Sequence, residues 1–269
     1  MNGYFKDKVA IVTGGTDGIG KALVTALLSD GAKVATCGRS YDKLYELQAQ
    51  HPSLPLHTLV ADVSHPGECK RFVESTVNTF GQIDLLINNA GISMRSLFKD
   101  LEVEVIEKIM NINFMGAVYC TKFALPELIK SKGTVVGISS IAGYRGLPGR
   151  TGYSASKFAL QGFLESLKTE LMDDGVHVMW VSPGFTASRI RDHALNNKGE
   201  VQKENPMDED KMMSAETCAQ HLLRAIMKKK RTLVLTHTGK ETVFLNRFFP
   251  GLADKLVHRF YFKNKQLIK

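Results

Sequence analysis

The sequence predicts an α/β protein built on a doubly wound, seven-stranded parallel sheet with helices on both faces. Short runs rich in valine and isoleucine alternate with helix-spaced apolar patterns, as in parallel strands joined by crossover helices. A glycine-rich turn, Gly14-Gly15-Thr16-Asp17-Gly18-Ile19-Gly20, lies between the first strand-like run and the first helical pattern. Each further polar motif falls at the carboxyl end of a strand, the rim where such sheets bind ligands.

Taken in order, Val9–Thr13 is an apolar run of strand length, and Ala22, Leu23, Ala26 and Leu27 then set a helix over Gly18–Ser29. Strands follow at 33–37, Leu56–Val60, Leu85–Asn88, 134–139, His177–Ser182 and 232–236. The long helices between them are Pro66–Phe80, 103–130 and 153–173. All 269 residues are read as one domain, 1–269, long enough for a substantial core. Two regions break the rhythm. Segment 185–213 is polar, with Met207, Met212 and Met213 near its end; a long loop on this rim is expected to act as a substrate lid. Segment 242–269 is an amphipathic extension. There Phe244, Leu245, Phe248, Phe249, Leu252, Leu256, Val257, Phe260 and Tyr261 recur at helical spacing, broken by Pro250-Gly251. Arg247, Lys255, Arg259 and Lys263 lie between them. Two short helices, each with an apolar and a basic face, can lie in a membrane interface or pack on the core or a neighbouring subunit.

The composition excludes some classes of function. Hydrophobic residues make up 43% and charged residues 23% of the chain, typical of a globular protein that is not a membrane bundle. Cys37, Cys69, Cys120 and Cys218 have no metal-like spacing and read as reduced thiols, so neither a metal nor a disulfide framework is expected. Met1 to Lys8 is polar and no apolar run approaches a membrane span, so a cytoplasmic protein is expected, with peripheral membrane contact open through the basic tail. The net charge of +8 comes with no nucleic-acid motif, so nucleic acid is not an expected partner.

Two motifs carry chemistry. At a strand–turn–helix junction, outward N–H groups and the helix dipole favour phosphate, and glycines let the backbone approach it. In Tyr153-Ser154-Ala155-Ser156-Lys157, a helix places Tyr153 and Lys157 one turn apart on one face. An ammonium near a phenol favours phenolate; bringing a tyrosine to neutrality takes about 4 kcal/mol. Such a tyrosine can give a proton to a developing alkoxide.

Together these motifs resemble the short-chain dehydrogenase/reductase family over nearly the whole chain. They are Thr13 to Gly20, Asp62-Val63, Asn88-Asn89-Ala90-Gly91, Asn113-Phe114-Met115-Gly116, Ser139-Ser140, Tyr153 with Lys157, and Pro183-Gly184, in family order. The resemblance implies a Rossmann-type fold and a carbonyl reduced to a secondary alcohol, or the reverse. It assigns Tyr153 as proton donor, Lys157 as the group that tunes it and reaches the nicotinamide ribose, Ser140 as carbonyl partner and Asn113 as holder of a relay water. It places a cofactor on Gly14, Thr16, Asp17, Gly18, Ile19 and Gly20, with Asp62 and Val63 at the adenine and Asn89, Ala90 and Gly91 beside the adenosine. Pro183 and Gly184 follow, then Thr186 or Ser188 at the carboxamide, a choice the sequence leaves open. Strand two ends in Arg39-Ser40 where an acid would select NAD; arginine there accommodates a 2′-phosphate and points to NADP(H). Asp17 departs from the basic residue many NADP-preferring relatives carry. The run 98–103, with Ala142-Gly143 and Gly146-Leu147, resembles reducers of long-chain lipid ketones such as 3-ketosphinganine, and also steroid and carbonyl reductases. A 3-oxoacyl thioester reductase and a non-catalytic NADP(H)-sensing or scaffold protein are the alternatives. Relatives are homodimers or homotetramers through the 103–130 and 153–173 helices, and the same is expected here.

Overall fold

The computed structural model describes residues 3–202 and 212–268. Seven parallel strands, β1 (Val9–Thr13), β2 (Lys33–Gly38), β3 (Leu56–Val60), β4 (Leu85–Asn88), β5 (Thr134–Ile138), β6 (His177–Ser182) and β7 (Thr232–Val234), are ordered β3-β2-β1-β4-β5-β6-β7. The order reverses between β1 and β4, so the cleft of a doubly wound sheet opens beyond their carboxyl ends. Helices α1 (Gly18–Ser29) and α7 (Ala215–Met227) cover one face through Leu23, Leu27, Leu222 and Leu223. The other face packs under α3 (Pro66–Phe80), α5 (Gly116–Ser131) and α6 (Thr151–Glu170) through Phe72, Cys120, Leu128, Leu160 and Leu164. Strands β1 and β4 are buried throughout, which is why they read as unbroken apolar runs rather than alternating ones.

Several elements differ from the sequence expectation. The single helix expected over 103–130 is α4 (Val103–Met110), a π turn (Asn111–Met115) and α5. The Asn113 side chain explains the widening. Its Oδ1 accepts from Ile92 N–H at 2.8 Å and its Nδ2 donates to Ile92 O at 2.9 Å, so the turn is drawn onto the loop after β4. A short α2 (Tyr41–Ala49) was not anticipated, since it buries only Leu44 and Leu47. The helix expected over 153–173 begins at Thr151 and stops at Glu170. Strand β7 stops at Val234 because Thr236, at φ 66°, caps α8 (His237–Phe248) by accepting from Gly239 N–H.

The tail forms α8, α9 (Pro250–Tyr261) and a small hairpin, β8 (Phe262–Lys263) with β9 (Gln266–Leu267). Arg145 ties it down, donating to Asn246 Oδ1 at 3.0 Å and pairing with Asp254. Asn246 in turn donates to Tyr144 O at 2.8 Å. No helix among the described residues is long and apolar enough to cross a membrane.

Candidate active site

One cavity of about 770 Å³ runs along the carboxyl rim of the sheet, from Arg39 and Lys43 at one end to Phe260 and Tyr261 at the other. Its first wall is the glycine turn. Gly14 and Gly18 have φ of +67° and +49°, a region that favours glycine. A Cβ on Gly14 would lie 3.0 Å from Ala90 Cα, and one on Gly20 would strike Gly14 O and Asn89 Nδ2. Thr13 Oγ1 accepts from Asn89 and Ala90 N–H, both at 3.0 Å, and Asn89 Nδ2 donates to Thr13 O and Gly14 O. The turn is therefore stitched to β4, and side chains are excluded where a pyrophosphate would need backbone N–H groups. Thr16, Ile19 and Gly91 line the same cavity.

Around the adenosine end, Asp17 caps α1 by accepting from Gly18 N–H at 2.9 Å and pairs with Lys43 at 3.1 Å and Arg189 at 3.7 Å. Two cations thus offset the acid that departs from the family pattern. Ser40 caps α2 by accepting from Lys43 N–H at 3.3 Å and stands beside Arg39, outside the residues lining the cavity. Burial of Asp62 opposes ionisation, but the Ser64 N–H and hydroxyl, with the Arg39 and His65 charges, hold its carboxyl below the ordinary aspartate value. Val63 lies against Gly116, where a Cβ would come within 2.8 Å.

At the chemical end, Lys157 Nζ donates to Ile138 O at 2.8 Å and stands 5.6 Å from the Tyr153 ring centroid. Burial pushes the lysine down to about 8. Burial also pushes the Tyr153 phenol up, opposed by a hydrogen bond with Ser140 and by the charges of Arg150 and Arg191. The phenol therefore stays above the ordinary tyrosine value, with Ser140 and the two arginines opposing burial only in part. Ser140 also accepts from Ala142 N–H at 3.1 Å, while Ser139 is held by Gln161 Nε2 at 2.7 Å. Asn113 Nδ2 donates further to Ser156 Oγ at 3.0 Å. A Cβ on Gly91 would sit 3.2 Å from Asn113 Oδ1 and 3.5 Å from Lys157 Nζ, so this glycine lies close against both groups. These bonds make the Asn113 amide a brace between the π turn, the β4 loop and α6.

Pro183, Gly184, Thr186 and Ser188 all line the cavity. Thr186 donates to Gly184 O at 3.3 Å, and Ser188 covers Gly18, so both hydroxyls remain candidates for the carboxamide. In the described part of segment 185–213, Ile190, Arg191 and His193 line the cavity; Met207 lies outside the described residues. Sequence reasoning missed Lys43, Ser93, Arg150, Arg191 and Tyr261. Arg150 was within reach, since it precedes Tyr153 by one helical turn; Tyr261 arrives from the far end of the chain and leaves no local signal. Among the described residues no cluster of His, Cys, Asp or Glu is placed to hold a metal.

The sequence profile of the family described as short chain dehydrogenase matches residues 8–199. The chain is 34% identical to dehydrogenase/reductase SDR family member 7B of Bos taurus, covering 96% of this chain and 82% of that protein. It is 34% identical to 11-beta-hydroxysteroid dehydrogenase 1A of Arabidopsis thaliana, covering 92% and 73%. Among solved structures, a short chain dehydrogenase/reductase of Burkholderia phymatum in complex with NAD has the same fold. It superposes with a TM-score of 0.83 at 20% identity, over 92% of this chain and 95% of that one. Levodione reductase matches at 0.74 and 25%, over 86% and 96%. A nicotinamide-dinucleotide oxidoreductase acting between alcohol and carbonyl is what the matched profile and the site describe together, and the chain belongs to the short-chain dehydrogenase family.

Proposed function

We propose that the protein is an NADPH-dependent reductase of a hydrophobic ketone. The observation that carries this is the convergence of Ser140, Tyr153 and Lys157 on a cavity whose other end is walled by Leu245, Leu256, Val257 and Phe260. Ser140 and Tyr153 are placed to hold a carbonyl oxygen between two hydroxyls, stabilising the charge that develops there. The phenol proton passes to that oxygen, and Lys157 beneath supplies positive charge to the phenolate left behind. A nicotinamide bound along the glycine turn would supply the hydride. Arg39 at the adenosine end supports the phosphorylated coenzyme, because it is a cation lining the cavity where a 2′-phosphate would lie, whereas Lys43 beside it is paired with Asp17.

Long-chain and polycyclic ketones, the class that includes 3-ketosphinganine and steroid ketones, fit the apolar wall; the similarity to an 11-beta-hydroxysteroid dehydrogenase supports the second kind. Retention of the whole Ser-Tyr-Lys set speaks against a purely sensing or scaffold role, and the long tail against a thioester reductase. The proposal includes a homo-oligomer through α5 and α6, where Phe158 is 47% exposed. It also includes residence in a reducing, cytoplasmic compartment, in keeping with four free buried thiols, and peripheral contact with membranes through the tail.

The test is NADPH oxidation over a panel of lipid, steroid, thioester and small ketones. Tyr153→Phe is expected to lower turnover at least about a hundredfold on the best substrate while still binding NADPH. NADPH is expected to bind at least about tenfold tighter than NADH, through the arginine at the selecting position. Undiminished turnover in the variant would overturn the mechanism, and equal affinities the coenzyme assignment.

A further inference from the structure

Beside the reacting groups lies a cation that the proton transfer does not require. Arg150 stands three residues before Tyr153, lines the same cavity and donates through Nη1 to Ser93 Oγ at 3.0 Å. The Tyr261 phenol, at the end of α9, lies beside the same guanidinium, whose contact and charge oppose the upward push of burial on the phenol. Ser93 and Tyr261 are both buried, so Arg150 is held from two sides by neutral oxygens. A guanidinium has five N–H donors, and these two partners leave others facing the cavity. Arg145, five residues earlier, is paired with Asp254. Arg150 has no such partner: among the described residues no carboxylate is ion-paired with it. On the opposite wall Arg191 Nη2 donates to Thr186 O at 2.7 Å.

A half-buried cation without a carboxylate is costly, and the chemistry that satisfies it is an oxyanion able to accept from the guanidinium fork. Beyond Arg150 the cavity is apolar along α9, through Ala253, Leu256, Val257 and Phe260, while α8 contributes Leu245 beside Thr238, Glu241 and Thr242. We propose that Arg150, braced by Ser93 and Tyr261, is an anion subsite for the substrate, which is an amphipathic ketone carrying a carboxylate or phosphate a few atoms from its carbonyl. This rests on the reductase reading and narrows it. The same charge repels an ammonium beside the ketone, and so ranks an amino ketone such as 3-ketosphinganine below an oxyanion ketone. It also gives the tail a task, since Tyr261 reaches the subsite from α9.

The test reads binding rather than turnover. The full chain is titrated calorimetrically with decanoate, decyl phosphate and neutral decanol. The anions are expected to bind at least about tenfold tighter than the alcohol, the scale of a hydrogen bond to a charged group. The tighter of the two anions identifies which oxyanion the substrate carries. Arg150→Met is expected to erase the preference and Arg150→Lys to keep part of it. Should Arg150→Met fail to fold, Tyr261→Phe, which removes one brace, is expected to weaken anion binding about threefold. Equal affinity of the parent for anion and alcohol, or a preference untouched by these variants, overturns the subsite. Failure to reduce any ketone would sink the reductase reading and leave this binding result standing.

Discussion

Lys157 is the residue on which burial and charge conflict most directly. It is buried, its ammonium donates to Ile138 O, and burial brings it to about 8 rather than the ordinary 10.5. The difference corresponds to about 3 kcal/mol against the charged form in the folded chain. The sign follows from linkage. Between pH 8 and 10.5 the unfolded chain keeps a proton that the folded chain has released, so stability rises with pH across that window. As pH falls through 8 the gain is lost. Tyr153 titrates above the ordinary tyrosine value and opposes this only at the upper end. The melting temperature of the parent, measured against Lys157→Met from pH of about 7 to about 10, is therefore expected to climb relative to the variant. A constant gap between the two would mean that Lys157 keeps an ordinary pKa. A lysine held partly deprotonated at this depth is easily recharged by an anionic neighbour, so cofactor phosphates and phenolate both favour its proton.

At the scale of elements, the π turn between α4 and α5 shows where periodicity stops being informative. Residues 103–130 carry one continuous helical pattern, and nothing in that pattern marks the five residues Asn111–Met115 as widened. What widens them is tertiary: Asn113 reaches Ile92 across 21 residues of sequence, a partner that local propensity cannot see. The strands, by contrast, were legible almost to the residue, because burial on both faces leaves an apolar run with few alternatives. Helix α2 was missed since only two of its positions are buried. Gly116 tests the junction. It opens α5, where alanine would gain up to about 1 kcal/mol in helix propensity. Its Cβ, however, would lie 2.8 Å from Val63 Cγ2 and 3.0 Å from Val63 O, and overpacking of this kind costs about 1–3 kcal/mol. The clash is expected to win. Gly116→Ala should lower the melting temperature by several degrees and weaken coenzyme binding, because Val63 lines the cavity. A more stable Gly116→Ala would show that Val63 can give way.

For the molecule as a whole, the tail joins the cavity to the outside surface. The sequence left the apolar face of the tail either to a membrane interface or to packing on the protein, and the structure divides that face between the two sides. Leu245, Ala253, Val257 and Tyr261 face the cavity, while Phe244, Phe248, Phe249 and Leu252 are 56%, 58%, 54% and 49% exposed. Arg247, Lys255, Arg259 and Lys263 are exposed among them, and the Arg247 guanidinium stands 5.7 Å over the Phe248 ring. Clustered aromatics on a water-facing surface need a reason, and aromatics interleaved with cations suit an anionic lipid interface. Leu256 and Phe260 are exposed yet also line the cavity, so a substrate leaving a bilayer at this patch would meet the apolar wall directly. The protein is expected to sediment with vesicles containing anionic lipid at low salt and to be released at high salt, where exposed charges are screened. Phe248→Ser with Phe249→Ser should abolish that binding while leaving the fold intact, since both side chains are more than half exposed. Self-association through the same patch makes the opposite prediction: the parent would remain off the vesicles, and the double variant would change its sedimentation coefficient in the absence of lipid.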